Sequence, residues 1–386
     1  MIKAITAFTE EIDEIDVAVG EIMSQIDAAG GLLTHSAGLM GFYAEFAETG
    51  VVTALCERLG FPVIGSTTLG TAVPNMHGGL LLTLTVLTSD DVTFSAAMTE
   101  PLSGHALDDA ATDAYTRARE TLGEDPKLIL VTAPLLVHAG DQYIEALDAV
   151  SGGAPIFGTL TCGHTMQYTE LLTMCNGVLV PDTMAVLLIG GAVSPRFYCT
   201  SIEKSKIWQQ AAIVTNSEGN VLKEVNNIPI IQFLESIGLA KDGNVAASIS
   251  TFPFVLDYND GTPGIMRAAL SVTPEGYCVC GGLVPMGTTL SVSTFDRADV
   301  LSSTGHALDR VLAAEGGSVL LMLSCIGRNH ALGADTDAEM ALVRQRLGED
   351  KAYLFVYSGG EICPVQNERG QSKNRFHNDT FIACLL

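Results

Sequence analysis

The stretch SVLLMLSCIGRNHALG, Ser318–Gly333, begins as an unbroken apolar run and ends in Ser324, Cys325, Arg328, Asn329 and His330. Farther on, Glu361 follows the glycine pair Gly359-Gly360, and His377-Asn378 precedes the last apolar run. These residue types could do three kinds of chemistry. A thiol at Cys325, acidified by Arg328 and served by His377 as base, would be a nucleophile. Arg328 could instead hold a carboxylate through its fork of donors. Glu361 would then neutralise it or take an amine, and the pair would suit a zwitterion such as an amino acid. Cys325, Glu361 and His377 could in principle bind a metal, but no local spacing supports that. Each reading has a plainer rival. A cysteine at a strand end is more often a small buried residue, and an Arg–Glu pair can simply tie two loops together. His330, just beyond Arg328, is expected to be exposed and is the weaker histidine candidate. No P-loop and no GxGxxG turn after a strand is present.

Residues this far apart in sequence need a fold that gathers them, and the chain contains a repeated unit that could. The first copy runs GGLLTHSAG, a helical segment to about Leu59, FPVIGSTTLG, then HGGLLLTLTVLT. The second runs KLILVTAP, DQYIEALDAVSG, APIFGTLTCG, then DTMAVLLIGG. The third runs SVLLMLSCIG, DAEMALVRQRLG, AYLFVYSGGE, then HNDTFIACLL. Each reads as strand, helix, strand ending in glycine, loop, strand. Thr34, Thr132 and Ser324 are placed at the end of the first strand, and Gly70, Gly163 and Gly360 at the end of the second, with separations of 36, 31 and 36 residues. A strand–helix–strand unit pairs its two strands in parallel, and the third strand could run antiparallel. The expected fold is α/β (mixed α+β), with these units forming mixed β-sheets flanked by helices. Two packed sheets in an αββα-like layering is one form this could take. Ligands in such folds sit where strands empty into helix starts and glycine turns.

Between the second and third copies the pattern changes. AAIVTNSEGNVLKEV reads as a hairpin turning at Glu218-Gly219-Asn220, and further strands turn at Pro274-Glu275-Gly276. STGHALDRVLAAEGG reads as a helix with Ser/Thr near its start. The natural division is into residues 1–205 and 206–386.

Composition narrows the function. The chain has 386 residues, 47% hydrophobic and 17% charged, which is a globular composition. Its formal charge of −24 repels phosphate backbones and anionic membrane surfaces. No apolar run approaches the about 20 residues needed to span a bilayer, and the N-terminus lacks a signal-peptide core. A cytoplasmic protein with no nucleic-acid or membrane partner is expected. Nine scattered cysteines without a C-x-x-C read as reduced thiols.

The segment LSCIGRNHALG…FVYSGGEICP…RFHNDTF resembles the C-terminal half of FIST proteins (F-box and intracellular signal transduction). Ser324, Cys325, Gly327, Arg328, Gly360, Glu361, Ile362, Phe376, His377 and Asn378 carry that resemblance. Residues 25 to 200 are similar to the FIST N-terminal region. There VIGSTTLGTAV departs from the family turn, with Ser66 where Cys is common and Thr71 where Glu is common. The resemblance implies a sensory module for a small polar ligand, an amino acid or related small acid, held at Cys325, Arg328, Glu361, His377, Asn378, Gly360, Thr68 and Gly70. No cofactor is expected, and a signalling partner encoded separately is. Some members are haem-based gas sensors, in which case His377 would be the axial ligand. An enzyme using Cys325 and His377, and an acidic scaffold without a ligand, are the other two classes to weigh.

Overall fold

The computed structural model describes residues 2–165, 169–200, 202–245, 249–349 and 351–386. Three six-stranded sheets share one plan. At the centre of each is a parallel pair: His35–Phe42 with Val63–Thr67, Leu128–Ala133 with Ile156–Leu160, and Val319–Cys325 with Ala352–Ser358. A helix bridges each pair: Val51–Leu59, Gly140–Ser151 and Ala338–Leu347 respectively. The returning strands Leu82–Ser89, Ala185–Ile189 and Phe381–Leu385 lie antiparallel to the first strand of their pair. The third strand of every repeat therefore runs antiparallel.

What the repeat pattern did not reveal is that the copies exchange hairpins. The hairpin Thr71–Val73/Met76–Gly78 follows the first pair but joins the third sheet beside Ala352–Ser358. The hairpin Thr173–Cys175/Val178–Val180 follows the second pair and joins the first sheet. Glu361–Gln366/Ser372–His377 follows the third pair and joins the second sheet. The exchange is cyclic, so no sheet is made by one copy alone.

Strands buried on both faces explain the near-continuous apolar runs. All eight residues of Leu82–Ser89 and all seven of Val319–Cys325 are buried. The inner faces meet in one core, to which Ile64, Leu130, Phe157, Leu321 and Leu354 contribute from all three sheets. The outer faces are covered by helices, including Ile15–Ala28, Leu107–Leu122 and Arg297–Leu312.

Gly70, Gly163 and Gly360 lie beyond the ends of their strands, which stop at Thr67, Leu160 and Ser358, because the glycines belong to the turns that follow, and two further boundaries move. Thr34 precedes its strand instead of ending it, because the strand is the small-residue run His35–Phe42 and Leu32-Leu33 lies outside it. The helix placed at Ser303 starts two turns earlier, at Arg297, where Asp296 accepts a hydrogen bond from the Asp299 N–H as its cap. Ser303 and Thr304 are thus interior helix residues with buried hydroxyls.

The segment between the second and third copies folds as a separate antiparallel sheet, with hairpins turning at Gly219 and Gly276 as expected. It docks through Arg267, whose side chain is fully buried. The guanidinium donates to Asp141 Oδ1 (2.6 Å), the Phe376 carbonyl (2.8 Å) and the Leu283 carbonyl (3.0 Å). A Cβ at Gly281 would stand 2.8 Å from Asn378 Oδ1, and one at Gly282 would stand 2.7 Å from Asp141 Oδ2. Glycine at both positions permits this close seating.

Candidate functional site

The third sheet's parallel pair ends at Cys325 and Ser358 in register. The chain turns from Cys325 into the short helix Ile326–Ala331, while Asn378-Asp379-Thr380 turns into the last strand opposite. The Cys325 N–H donates to the Thr380 carbonyl at 3.1 Å, locking these two turns together. Asp379 holds a left-handed φ of +50°. That conformation is a device of the fold: Asp182-Thr183, at the same place in the second copy, has φ +57°. The difference is burial, since Asp182 is half-buried and Asp379 is 3% exposed.

Together these turns form the floor of a cavity of about 870 Å³. One wall is the loop from Leu135 to Ala139 of the second copy. Another comes from the separate sheet, including Asn220, Leu270 and Gly281. Cys325, Gly327, His330, Asn378 and Asp379 line the side belonging to the third copy. A Cβ at Gly327 would lie 2.1 Å from Asp379 Oδ1, so glycine there leaves room for the carboxyl. Asp379 Oδ2 is buried without a hydrogen-bond partner. Burial pushes this carboxyl up to about 7, against the pull of Arg328.

Beneath the floor lies Glu361, fully buried. Neither of its oxygens has a hydrogen bond of normal geometry. Ser358 and the Cys325 thiol are near enough to favour its charge, but burial and the neighbouring Asp379 dominate and raise its pKa strongly. The Cys325 thiol is in turn raised well above its ordinary value by burial, Glu361 and Asp379. A thiol held protonated between two carboxyl groups is a poor nucleophile.

Arg328 does not face the cavity. Its side chain is fully buried and its donors are spent internally, on Glu339 Oε1 (2.7 Å), Ser324 Oγ (3.0 Å), Ser303 Oγ (3.0 Å), Thr304 Oγ1 (2.7 Å) and the Val300 carbonyl (3.0 Å). The expected Arg328–Glu361 clamp is therefore replaced by an Arg328–Glu339 pair. A buried guanidinium must satisfy every donor, and the helix Ala338–Leu347 supplies the carboxylate.

Of the other expected site residues, Asn378 lines the cavity and also accepts a hydrogen bond at Oδ1 from the Ala268 N–H (3.3 Å). Gly360 shapes the turn before Glu361, and its carbonyl accepts from the Leu160 N–H (2.9 Å). Thr68 and Gly70 lie at the seam where the first copy's hairpin enters the third sheet. There Thr68 Oγ1 donates to the Tyr357 carbonyl (2.8 Å) and the Tyr357 N–H donates to the Gly70 carbonyl (2.9 Å). Neither lines the cavity.

His377 is 1% exposed and lies off the cavity wall. Its Nε2 is 3.2 Å from the Cys363 carbonyl and its Nδ1 is 3.7 Å from the Cys199 sulfur. Burial lowers its pKa to about 3. With both ring nitrogens engaged and no open side, His377 does not fit an axial haem ligand. Among the described residues, no group of three or more His, Cys, Asp or Glu is placed to hold a metal ion.

Sequence reasoning missed Asp379, His138 and the wall from the separate sheet. The signal for Asp379 was available, since it sits inside FHNDTF and repeats the Asp-Thr of the second copy. The cyclic exchange also singles out Glu361. Thr173, Glu361 and Thr71 are the residues at which the three hairpins first pair. Two copies carry a threonine there, and only the third carries a carboxyl group.

Family models match most of the chain. The FIST N domain matches residues 37–228 and the FIST C domain matches residues 231–364. The chain belongs to the FIST family, whose domains are in general sensory and signal-transduction modules. No curated protein matches it. Among solved structures, it is similar to the crystal structure of a cyanuric acid hydrolase from A. caulinodans, with 12% identity and a TM-score of 0.38 over 100% of this chain and 99% of that one. A likeness at that level assigns neither ligand nor mechanism.

Proposed function

We propose that this protein is a sensory module that captures a small polar ligand in the cavity floored by Cys325, Asn378 and Asp379, and relays occupancy to a separately encoded partner. The observation that carries this reading is Asp379, a buried residue on the wall of an 870 Å³ cavity whose carboxyl oxygen Oδ2 has no partner. Ligand sites typically measure about 300–1,000 Å³ and present a few convergent polar groups. An unpaired buried polar atom is costly unless a ligand satisfies it.

The walls come from the second copy, the third copy and the separate sheet, so a ligand touching all three favours one relative placement of them. That unequal preference is what signalling requires. Amino acids fit as candidates through their ammonium group, which has an acceptor at Asp379. The enzyme reading is weakened by the protonated state favoured for Cys325 and by the distance of His377 from the wall.

The test is a thermal-shift screen with amino acids, other small acids and haem. Stabilisation by an amino acid or small polar metabolite in wild type, and its loss in Asp379→Asn, is the expected result. Stabilisation by haem alone, or turnover that depends on Cys325, would replace this reading.

A further inference from the structure

The character of the cavity narrows what it can hold, and this step rests on the ligand-binding reading above. Among its described lining residues, Asp379 is the one carboxyl group, and none is a lysine or arginine. The two nearby guanidiniums are already neutralised, Arg328 by Glu339 and Arg267 by Asp141. Behind the wall, Glu361 adds a second carboxyl group with no hydrogen bond of its own. His330 is exposed, as expected, and the partial burial of its ring lowers its pKa and favours the neutral form. On the second copy's wall, Nε2 of His138 is also buried without a partner. An anion entering here would meet a carboxyl group and no compensating cation. A cation would meet an unpaired acceptor in a low-dielectric pocket, where that attraction is strongest.

We propose that the ligand is a cationic nitrogen compound, an amine or amidine, recognised at Asp379 with Glu361 reinforcing it, and that the cavity has no site for a carboxylate of its own. Binding carries a proton balance. In the empty protein Asp379 shares its surroundings with Cys325 on its strand end, Glu361 on the hairpin, and Arg328 and His330 on the short helix. Its carboxyl, raised to about 7, is partly protonated at neutral pH. A bound cation favours the carboxylate, so the proton leaves to solvent as the ligand enters. Affinity therefore rises with pH through about 7.

A matched four-carbon series tests this by isothermal titration at fixed ionic strength: 1,4-diaminobutane, 4-aminobutanoate and succinate. The expected result is one diamine bound per chain, weaker binding of 4-aminobutanoate, and no binding of succinate. Diamine affinity should be about tenfold higher at pH 8 than at pH 6, because the ionised fraction of a group titrating near 7 changes by that factor. Proton release should appear as a dependence on buffer ionisation enthalpy. Asp379→Asn should abolish binding. Asn tolerates the left-handed backbone at this position, and circular dichroism would verify the fold. Glu361→Gln, which leaves the wall intact, should weaken binding and shift its pH midpoint.

Succinate binding in preference to the diamine overturns the cationic class while leaving a ligand-binding module in place. So does a metabolite without cationic nitrogen that occupies the cavity. Diamine binding that survives Asp379→Asn overturns the site. No binding by any member of the series overturns the cationic class. Together with an empty metabolite screen, it overturns the ligand-binding reading as well.

Discussion

Arg328 Nη2 lies 2.7 Å from Glu339 Oε1, and neither side chain has any exposed surface. The pair joins the strand end at Ser324 to two helices, since Ser324 Oγ donates to Glu339 Oε2 (2.8 Å) and Arg328 reaches Ser303, Thr304 and the Val300 carbonyl. It fixes the turn whose other face is the cavity floor. Removing either partner strands a buried charge. Arg328→Ala or Glu339→Ala should each cost about 3–5 kcal/mol. Arg328→Met with Glu339→Leu should cost less than the sum of the two. Urea unfolding of the four proteins checks this, and a near-zero cost for either single variant would contradict the pairing.

This pair also shows where sequence reasoning reached its limit. An apolar strand emptying into Ser324, Cys325 and Arg328 was legible, because a buried run followed by polar groups is a local pattern. Which carboxylate Arg328 meets was not. Glu339 sits in DAEMALVRQRLG among residues that look solvent-facing, and only the packing of that helix on the third sheet buries it. Glu361 was the natural guess because it follows a glycine turn, and the fold does bring it close. Asp379 was not singled out, although it follows Asn378 directly, and in the structure it is also a turn residue. The wall from the separate sheet was invisible because Gly281 approaches Asn378 only in three dimensions. The three copies could be read from strand and glycine spacing, whereas their hairpin exchange is non-local and leaves no periodic trace.

His377 gives a pH signature. Its pKa is about 3 in the folded chain against 6.5 for the free side chain. A depressed histidine contributes stability that is fully present above 6.5 and is lost as pH falls toward 3, by roughly 3–5 kcal/mol in total. Asp379 has the opposite sign. Its raised carboxyl contributes stability below about 4 that is lost as pH rises through about 7. Urea midpoints measured from pH 7 down to pH 4 should fall less steeply in His377→Gln than in wild type. Asp379→Asn should be more stable than wild type at pH 8. Unchanged slopes in His377→Gln would show that the imidazole titrates normally.

Cys325 should behave as an inert thiol. Burial, with Glu361 and Asp379 beside it, holds it protonated, and it is 4% exposed. Its alkylation at pH 7 should be at least about tenfold slower than that of a free cysteine. Cys325→Ser should keep both fold and ligand response. Rapid, site-specific labelling of Cys325 by a mild alkylating agent would revive the enzyme reading.

Two glycines separate structural from functional loss. At Gly360 an added Cβ would stand 2.4 Å from Phe376 Cζ. Gly360→Ala should therefore destabilise the fold by about 1–3 kcal/mol. At Gly327 the obstructing atom is the Asp379 carboxyl itself. Gly327→Ala should displace that carboxyl and remove ligand-induced stabilisation at a smaller cost to the unliganded protein. Thermal unfolding of both variants with and without ligand checks the distinction. A Gly327→Ala protein with full ligand response would show that the carboxyl's position is immaterial.

The central claim is that the cavity floored by Asp379 is where ligand binds. The most direct measurement is the stabilisation produced by the best ligand at about 100 times its Kd, compared between wild type and Asp379→Asn. Wild type should gain about 2.7 kcal/mol, and Asp379→Asn should gain none while remaining folded. Equal stabilisation of the two proteins would contradict the account.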